Sequence, residues 1–191
     1  MHIENVRNRG YYKIKGAVCA FDFDFRGKTV LDIGSSTGGF TEIALERGAN
    51  RVVAVEKGTQ QMKAPLRYDL RVELHEKTDI FEFHLAEDLK PDVIVADVSF
   101  LSLTKILKYA KTYLSRRDTE YLVMLKPQFE ANENQMEKGV IKNEKVRREV
   151  IKKFEWWLRQ NGFIVMKKRD NDLAGRNGNI ERFYYLMLAK K

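Results

Sequence analysis

The sequence predicts an α/β fold in which a mostly parallel sheet carries helices on both faces. Two observations predict it. Short apolar runs of strand length alternate along the chain with segments of helical periodicity, which is the pattern of repeated β-α units. The first of these runs leads through Asp32–Gly39, a turn rich in glycine and serine, into a helical segment, as in doubly wound sheets.

The first half of the chain contains four predicted strands and one predicted helix. Apolar and β-branched residues predict strands at Thr29–Ile33, Arg51–Val55, around Arg71–Glu73 and Val93–Ala96. A helix is predicted from Gly39 to Arg47, because Gly48 is the kind of residue that commonly follows a last helical turn.

The second half repeats the alternation. Leucine and isoleucine at helical spacing predict a helix over Ser102–Leu114, and Tyr121–Leu125 is a predicted strand that Pro127 stops. After an irregular stretch, Asn143 caps a predicted helix that runs to Asn161. Its apolar stripe consists of Val146, Val150, Ile151, Phe154, Trp157 and Leu158. Two final strands are predicted at Phe163–Met166 and Phe183–Leu188, with a loop at Leu173–Asn179 between them.

The composition predicts one soluble, cytoplasmic domain over residues 1–191. Hydrophobic residues make up 43% of the chain, and neither a composition break nor an internal repeat divides it. The single cysteine, Cys19, excludes an intramolecular disulfide. No apolar run is long enough to span a membrane, and the N-terminus lacks the apolar core of a signal peptide. His2, His75 and His84 show no metal-ligand spacing, so no metal is expected.

The charge favours a polyanionic partner. Lysine and arginine number 35 against 27 acidic residues, a net charge of +8, which points to RNA or another nucleic acid. A surface rich in lysine and glutamate, as in heat-stable proteins, is the alternative. One basic group surrounds two tyrosines near the N-terminus and comprises Arg7, Arg9, Lys13 and Lys15. A second group comprises Lys142, Lys145, Arg147, Arg148, Lys152 and Lys153, for which a plain solvated helix face is the expected outcome and RNA binding the alternative.

The turn at Asp32–Gly39 has the character of a cofactor loop. Glycines let the backbone approach a ligand closely, and the helix that follows offers free N–H groups. A carboxylate at Asp32 would repel a phosphate but suits a cationic or amino-bearing ligand such as S-adenosylmethionine. Glu56, at the end of the next strand, stands where an acid commonly binds ribose hydroxyls, and Asp79 could bond an adenine amino group. Asp32 alone could also be a turn-forming aspartate.

Four charged residues form the candidate catalytic group. Asp97 and Lys126 each follow a buried strand directly, so both are expected at the carboxyl edge of the sheet, where ligands bind. A neutral lysine amine can take the proton of a hydroxyl that attacks a sulfonium methyl group in line. We therefore assign Lys126 as base and Asp97 as its positioning partner, with Lys13 and Glu181 orienting the substrate. Taken singly, these residues could also be charges at strand ends or edges.

Seven segments follow one another along the chain: NRGYYKI, DIGSSTGGF, VVAVEKG, ADVSFLSL, LKPQFE, KGV and GNIERF. They resemble, in this order, the motifs of the FtsJ-like RNA methyltransferases, and they are most similar to the TlyA subgroup, often labelled haemolysin A. The resemblance implies a Rossmann-like class I methyltransferase with a seven-stranded sheet whose last strand is antiparallel. It also implies S-adenosylmethionine as methyl donor and 2′-O-methylation of ribosomal RNA or a ribosomal subunit.

The resemblance also implies specific site residues. The family's Lys-Asp-Lys-Glu tetrad falls on Lys13, Asp97, Lys126 and Glu181. The cofactor contacts fall on Asp32, Gly34, Ser35, Ser36, Gly38, Phe40, Glu56, Lys57, Asp79 and Asp97. Residues 1–25 would then be a basic N-terminal segment that packs on the catalytic face.

The sequence departs from the family pattern in two places. TlyA-like proteins usually carry a small S4-type RNA-binding domain before the first motif, and this chain is expected to lack it. The first motif reads Arg9-Gly10-Tyr11-Tyr12-Lys13, where a second glycine is usual. Other classes remain open: methyl transfer to a base or small molecule, an RNA- or ribosome-binding protein without turnover, and a membrane-active haemolysin.

Overall fold

The computed structural model describes residues 7–175 and 178–190. Seven strands form one sheet in the order β3-β2-β1-β4-β5-β7-β6. The strands are β1 (Thr29–Ile33), β2 (Arg51–Val55), β3 (Val72–His75), β4 (Val93–Ala96), β5 (Glu120–Leu125), β6 (Phe163–Asp170) and β7 (Arg182–Leu188). The helices are α1 (Arg9–Phe21), α2 (Gly39–Glu46), α3 (Leu103–Tyr109) and α4 (Glu144–Gln160).

The directions of the strands confirm the predicted fold class. β1 pairs in parallel with both β2 and β4, and the parallel pairing continues to β3 on one side and β5 on the other. β7 alone runs antiparallel to its two neighbours, β5 and β6. The start of β7 therefore lies at the same edge of the sheet as the ends of β1, β4 and β5, and this is the edge at which ligands bind in such sheets.

Two apolar cores sandwich the sheet. On one face, Tyr11, Ile14 and Phe21 of α1 pack with Phe40 and Ile43 of α2. On the other face, the buried side of α3 meets the buried side of α4 against strand residues such as Leu31 and Val123. The strands are apolar on both faces because both faces are covered, which explains why they appear as continuous apolar runs in the sequence.

The largest departure from the sequence prediction is α1, because no helix was predicted before the first strand. Its buried residues recur with helical spacing, and Asn8 caps it by accepting a hydrogen bond from the Tyr11 N–H at 2.9 Å. Two glycines, at positions 10 and 16, lower its intrinsic helix propensity. The helix is stabilised instead by burial of its apolar side.

Smaller differences concern element ends. The helix predicted to reach Leu114 is regular only to Tyr109 and finishes as a π-helical turn, Ala110–Leu114. β6 extends beyond Met166 to Asp170, because its polar end pairs with β7. In α4 the predicted contributor Val146 is only partly buried, and its neighbour Arg147 is buried instead. Among residues 7–175 and 178–190, no helix combines the length and the apolar character needed to cross a membrane.

Candidate active site

A cavity of about 620 Å³ opens at the carboxyl edge of the sheet, between the start of α1 and the turns that follow β1, β4 and β5. All four residues of the proposed tetrad line it: Lys13, Asp97, Lys126 and Glu181. The Gly34–Thr37 stretch of the glycine-rich turn forms another wall. The fold therefore gathers charged side chains from both ends of the chain beside a backbone that could accept a ligand.

Lys13 and Glu181 form a buried ion pair. The Lys13 Nζ lies 2.5 Å from the Glu181 Oε2, and the two residues are only 7% and 3% exposed. Lys13 comes from the buried side of α1, and Glu181 immediately precedes β7. Two charges withdrawn this far from water require each other, because an unpaired charge at such a position is costly.

Lys126 and Asp97 form the second pair. The Lys126 Nζ lies 2.6 Å from the Asp97 Oδ1 and donates a hydrogen bond to the Ser99 Oγ at 2.7 Å. Asp97 directly follows β4, and Lys126 directly follows β5, so the adjacent parallel strands bring them together. The amine is thus held by two oxygen atoms of a single turn.

The glycine-rich turn has the backbone geometry that glycine provides. Gly34 and Gly38 have φ angles of +76° and +88°, in the left-handed region. A Cβ atom on Gly39 would lie 2.4 Å from the Tyr11 N and 2.3 Å from the Asn8 Oδ1. The first turn of α2 therefore fits against the first turn of α1 only because residue 39 has no side chain.

Asp32 occupies a different place from the one that its proposed role requires. Its side chain is 0% exposed and does not line the cavity; the Thr41 Oγ1 donates a hydrogen bond to its Oδ2 at 2.6 Å. Burial raises the pKa of Asp32 to about 7, against a partial opposing effect of the Thr41 hydrogen bond. Its Oδ1 has no partner among the described residues. Any effect of Asp32 on a ligand would therefore pass through the turn above it.

Glu56 and Asp79, which were also proposed for cofactor binding, lie outside the lining of this cavity, whereas Asp97 belongs to it. Glu56 accepts hydrogen bonds from the Ser36 N–H at 2.8 Å and from the Gly58 N–H at 2.6 Å. Asp79 pairs with Lys57, whose Nζ lies 2.9 Å from the Asp79 Oδ2. Gly38 is also absent from the lining, whereas Gly34, Ser35, Ser36 and Phe40 belong to it.

Several side chains at the site were not selected from the sequence. Ser99 contacts Lys126, and only its position two residues after Asp97 could have indicated it. Glu130 caps α3, with its Oε1 2.5 Å from the Leu103 N and its Oε2 2.7 Å from the Ser102 Oγ. Burial raises the pKa of Glu130, and these hydrogen bonds oppose that rise. Its carboxylate thereby joins the turn after β4 to the turn after β5.

Aromatic residues stand at the rim of the cavity. Phe100 is 88% exposed and has a φ of +64°, an unusual conformation for a bulky residue. Its ring centroid lies 5.3 Å from that of Phe129, and both residues line the cavity. An exposed phenyl ring held in this way offers a flat apolar surface at the entrance.

The basic N-terminal group is only partly solvated. Arg7 forms ion pairs with Glu42 and Glu46 and contacts the Tyr11 ring, and Lys13 is buried, whereas Lys15 is exposed. His2 lies outside the described residues. Within the ranges that are described, no group of three or more histidine, cysteine, aspartate or glutamate side chains could hold a metal ion.

Comparisons with known proteins agree over nearly the whole chain. The model of the FtsJ-like methyltransferase family matches residues 6–188. A Campylobacter jejuni protein, 23S rRNA (cytidine-2′-O)-methyltransferase TlyA, is 34% identical over 93% of this chain and 69% of its own length. The Mycobacterium tuberculosis 16S/23S rRNA (cytidine-2′-O)-methyltransferase TlyA is 35% identical over 94% of this chain and 67% of its own length.

Solved structures give the same result. A candidate hemolysin from Streptococcus thermophilus superimposes with a TM-score of 0.91 at 30% identity, covering all of this chain and 70% of that one. A candidate S-adenosylmethionine-dependent methyltransferase from Listeria monocytogenes shares only the fold, with a TM-score of 0.66 at 16% identity. The chain spans about two thirds of the length of several relatives, down to 64% of a Bacillus subtilis protein.

Proposed function

The chain belongs to the FtsJ-like methyltransferase family, and on that basis we propose that it uses S-adenosylmethionine to methylate ribose 2′-hydroxyl groups of ribosomal RNA. The observation that carries the proposal is the pair of lysine–carboxylate contacts, Lys13–Glu181 and Lys126–Asp97, in one cavity beside the glycine-rich turn. The family resemblance to TlyA proteins, predicted from the motif order, is confirmed.

The residues around the turn suit the proposed cofactor. Gly34–Thr37 lines the cavity, and the buried Ser35 Oγ has no hydrogen-bond partner among the described residues, so it is available to a polar ligand. Asp32 beneath the turn would favour a cationic ligand electrostatically rather than by contact. The Glu56 carboxylate would bind the ribose hydroxyls of the cofactor, which would compete with the Ser36 N–H for its oxygen atoms. S-adenosylmethionine would supply an electrophilic methyl group and leave as a neutral thioether.

Lys126 is the proposed base. Its amine, neutral beforehand, would accept the proton of the substrate hydroxyl as the methyl group supplied by the cofactor is transferred to that oxygen. Asp97 and Ser99 hold the nitrogen at 2.6 and 2.7 Å, which limits its directions of approach. Such fixed geometry is a large part of catalysis when the chemistry is a single in-line displacement.

Lys13 and Glu181 are the proposed orienting pair. Because their charges are buried together, each restrains the other, and together they present one donor and one acceptor to a ribose. The exposed Phe100 ring at the rim suits stacking against a nucleobase, which is the usual way in which proteins hold an unpaired RNA base. The overall charge of +8 adds attraction for the phosphate backbone.

Labelling with a tritiated methyl group tests the proposal. The purified protein is incubated with labelled S-adenosylmethionine and with 16S and 23S ribosomal RNA transcribed in vitro, which carries no modifications. We expect label in the RNA at positions that resist alkaline cleavage. Label in a base, or label only in small molecules, would contradict the ribose assignment.

A pair of variants tests the role of the site. Lys126→Met removes the proposed base while keeping the length of the side chain, and Lys105→Met makes the same change on the exposed side of α3. We expect the first variant to lose nearly all methyl transfer with S-adenosylmethionine affinity retained, and the control to match the unmodified protein. Equal activity of both variants would remove Lys126 from the mechanism.

A further inference from the structure

The outer face of α4 carries a straight row of cations. Lys145, Arg148, Lys152 and Arg159 are all exposed and recur with helical spacing, so their side chains leave the helix within one narrow sector. The buried residues of α4, such as Phe154 and Leu158, occupy the opposite sector. We call these four cations together with Trp156 the α4 stripe.

The structure separates this stripe from the structural charges of the same helix. Arg147 turns inward, where its Nη2 lies 2.7 Å from the Asp170 Oδ1, and so it belongs to the core. Among the four stripe cations, only Arg148 has a carboxylate within ion-pair distance in the described part of the chain, namely Glu144 at 3.2 Å. The stripe therefore has positive charge that internal ion pairs do not neutralise.

Trp156 is the second observation. Its side chain is 57% exposed, although its neighbour Trp157 packs against the core. The exposed indole lies in the same sector as Lys145 and Lys152. An aromatic ring among cations is the combination that binds phosphates and stacks with bases in RNA-binding proteins.

The stripe also begins close to the active site. The first turn of α4, including Glu144 and Arg147, lines a small cavity of about 320 Å³. Asn179 is common to this cavity and to the 620 Å³ cavity that holds the tetrad, and its Oδ1 accepts a hydrogen bond from the Ile141 N–H at 3.0 Å. From Lys145 to Arg159 the row extends over roughly 20 Å at the helical rise per residue.

We propose that the α4 stripe binds the sugar-phosphate backbone of RNA next to the segment that enters the active site. This inference rests on the proposed function for the identity of the polyanion. The positive row and the phosphates are complementary in charge, and the row is long enough for several successive phosphates. The apolar side of α4 is already buried in the core, so it is not free to insert into a membrane.

Salt-dependent binding tests the proposal. The variant carries Lys145→Gln, Arg148→Gln, Lys152→Gln and Arg159→Gln. Its matched control carries Arg26→Gln, Arg47→Gln, Lys63→Gln and Lys77→Gln, which removes the same charge from exposed positions outside the stripe. Fluorescence anisotropy measures the affinity of each protein for a labelled RNA hairpin of mixed sequence between about 50 and 200 mM salt.

We expect the stripe variant to bind the hairpin at least about tenfold more weakly, with a slope of log affinity against log salt reduced by about 3. The control is expected to keep most of the affinity, and Trp156→Ala is expected to weaken binding of a poly(U) strand without changing the slope. Equal losses in both quadruple variants would overturn the proposal, since net charge alone would then account for binding. The proposal would also be overturned if the stripe variant lost binding to vesicles of anionic phospholipid but bound the RNA hairpin as well as the unmodified protein does.

This result is separable from the proposed function. Binding of the hairpin is measured without methyl transfer, and circular dichroism and S-adenosylmethionine affinity show whether each variant is folded. If the unmodified protein binds RNA through the stripe but methylates none, the proposed function fails and the docking surface stands. If methylation of ribosomal RNA is intact in the stripe variant at low RNA concentration, the docking surface fails and the proposed function stands.

Discussion

Lys13 and Glu181, from opposite ends of the chain, lie 2.5 Å apart in a part of the protein that water hardly reaches. Their contact closes the site, because it joins α1 to the antiparallel strand β7. Neither residue would be stable there alone. The pair therefore links the assembly of the fold to the assembly of the proposed catalytic group.

This pair gives the first prediction. Lys13→Met leaves the Glu181 charge buried without its partner, and we expect the free energy of unfolding to fall by about 3–5 kcal/mol. Adding Glu181→Gln should recover much of that loss, because no unpaired charge then remains. Urea unfolding of the two single variants and the double variant measures the coupling. Losses that simply add would show that the two side chains act independently.

The second prediction concerns pH. The pKa of Asp32 is raised from 3.8 to about 7, so between these values the folded protein binds more protons than the unfolded chain. The stability that protonated Asp32 contributes is therefore fully present below pH 3.8 and is lost progressively until the pH reaches about 7. Asp32→Asn cannot ionise, so the stability of this variant relative to the unmodified protein should increase between pH 5 and 8, by on the order of a few kcal/mol. Urea unfolding without added ligand measures the difference, and a pH-independent difference would contradict the prediction.

The third prediction separates positioning from chemistry at Lys126. Ser99→Ala removes one of the two oxygen atoms that hold the amine, and Ser99 is exposed, so we expect little change in stability. Loss of one hydrogen bond of about 1–1.5 kcal/mol corresponds to a roughly tenfold lower kcat. Ser99→Thr, which keeps the hydroxyl, serves as the control. Steady-state methylation measures both variants, and a change confined to KM would contradict a positioning role.

The fourth prediction concerns Glu130. Its carboxylate accepts hydrogen bonds from Ser102 and Leu103 at the start of α3. Glu130→Ala would remove the acceptor of the Leu103 N–H and leave the Ser102 hydroxyl with Thr104. We expect a loss of about 1–2 kcal/mol in unfolding free energy. We also expect kcat to fall more than in a surface control such as Glu133→Ala, because the turns carrying Asp97 and Lys126 become uncoupled. Thermal unfolding and methylation assays provide the two measurements.

Much of the sheet could be predicted from the sequence because both of its faces are covered. β1, β2 and β4 were predicted with the bounds that the structure shows, since doubly buried strands are short apolar runs with clear ends. Asp97 and Lys126 could be placed at one edge for the same reason. α1 could not be predicted, because glycine and aromatic residues lower its propensity and its stability depends on contacts with α2.

The pairing within the site was harder to predict than its membership. Strand order placed Asp97 beside Lys126, but the contact of Lys13 with Glu181 depends on the antiparallel direction of β7 and on the position of α1. The cofactor loop shows the same limit: an aspartate beside glycines was expected to face a ligand, whereas the structure buries Asp32 against Thr41. Arg147 was expected to be solvated and is buried, because Asp170 and the Ile180 carbonyl satisfy it.

The reversal of β7 has a consequence for the time at which the enzyme can first work. Lys13 is synthesised long before Glu181, because the two stand far apart in the chain. Until the β6–β7 hairpin has been made and has docked on β5, Lys13 lacks its partner Glu181. Burial of the Lys13 charge by α1 is then unfavourable. The proposed catalytic group is therefore incomplete in a nascent chain until β7 has docked on β5.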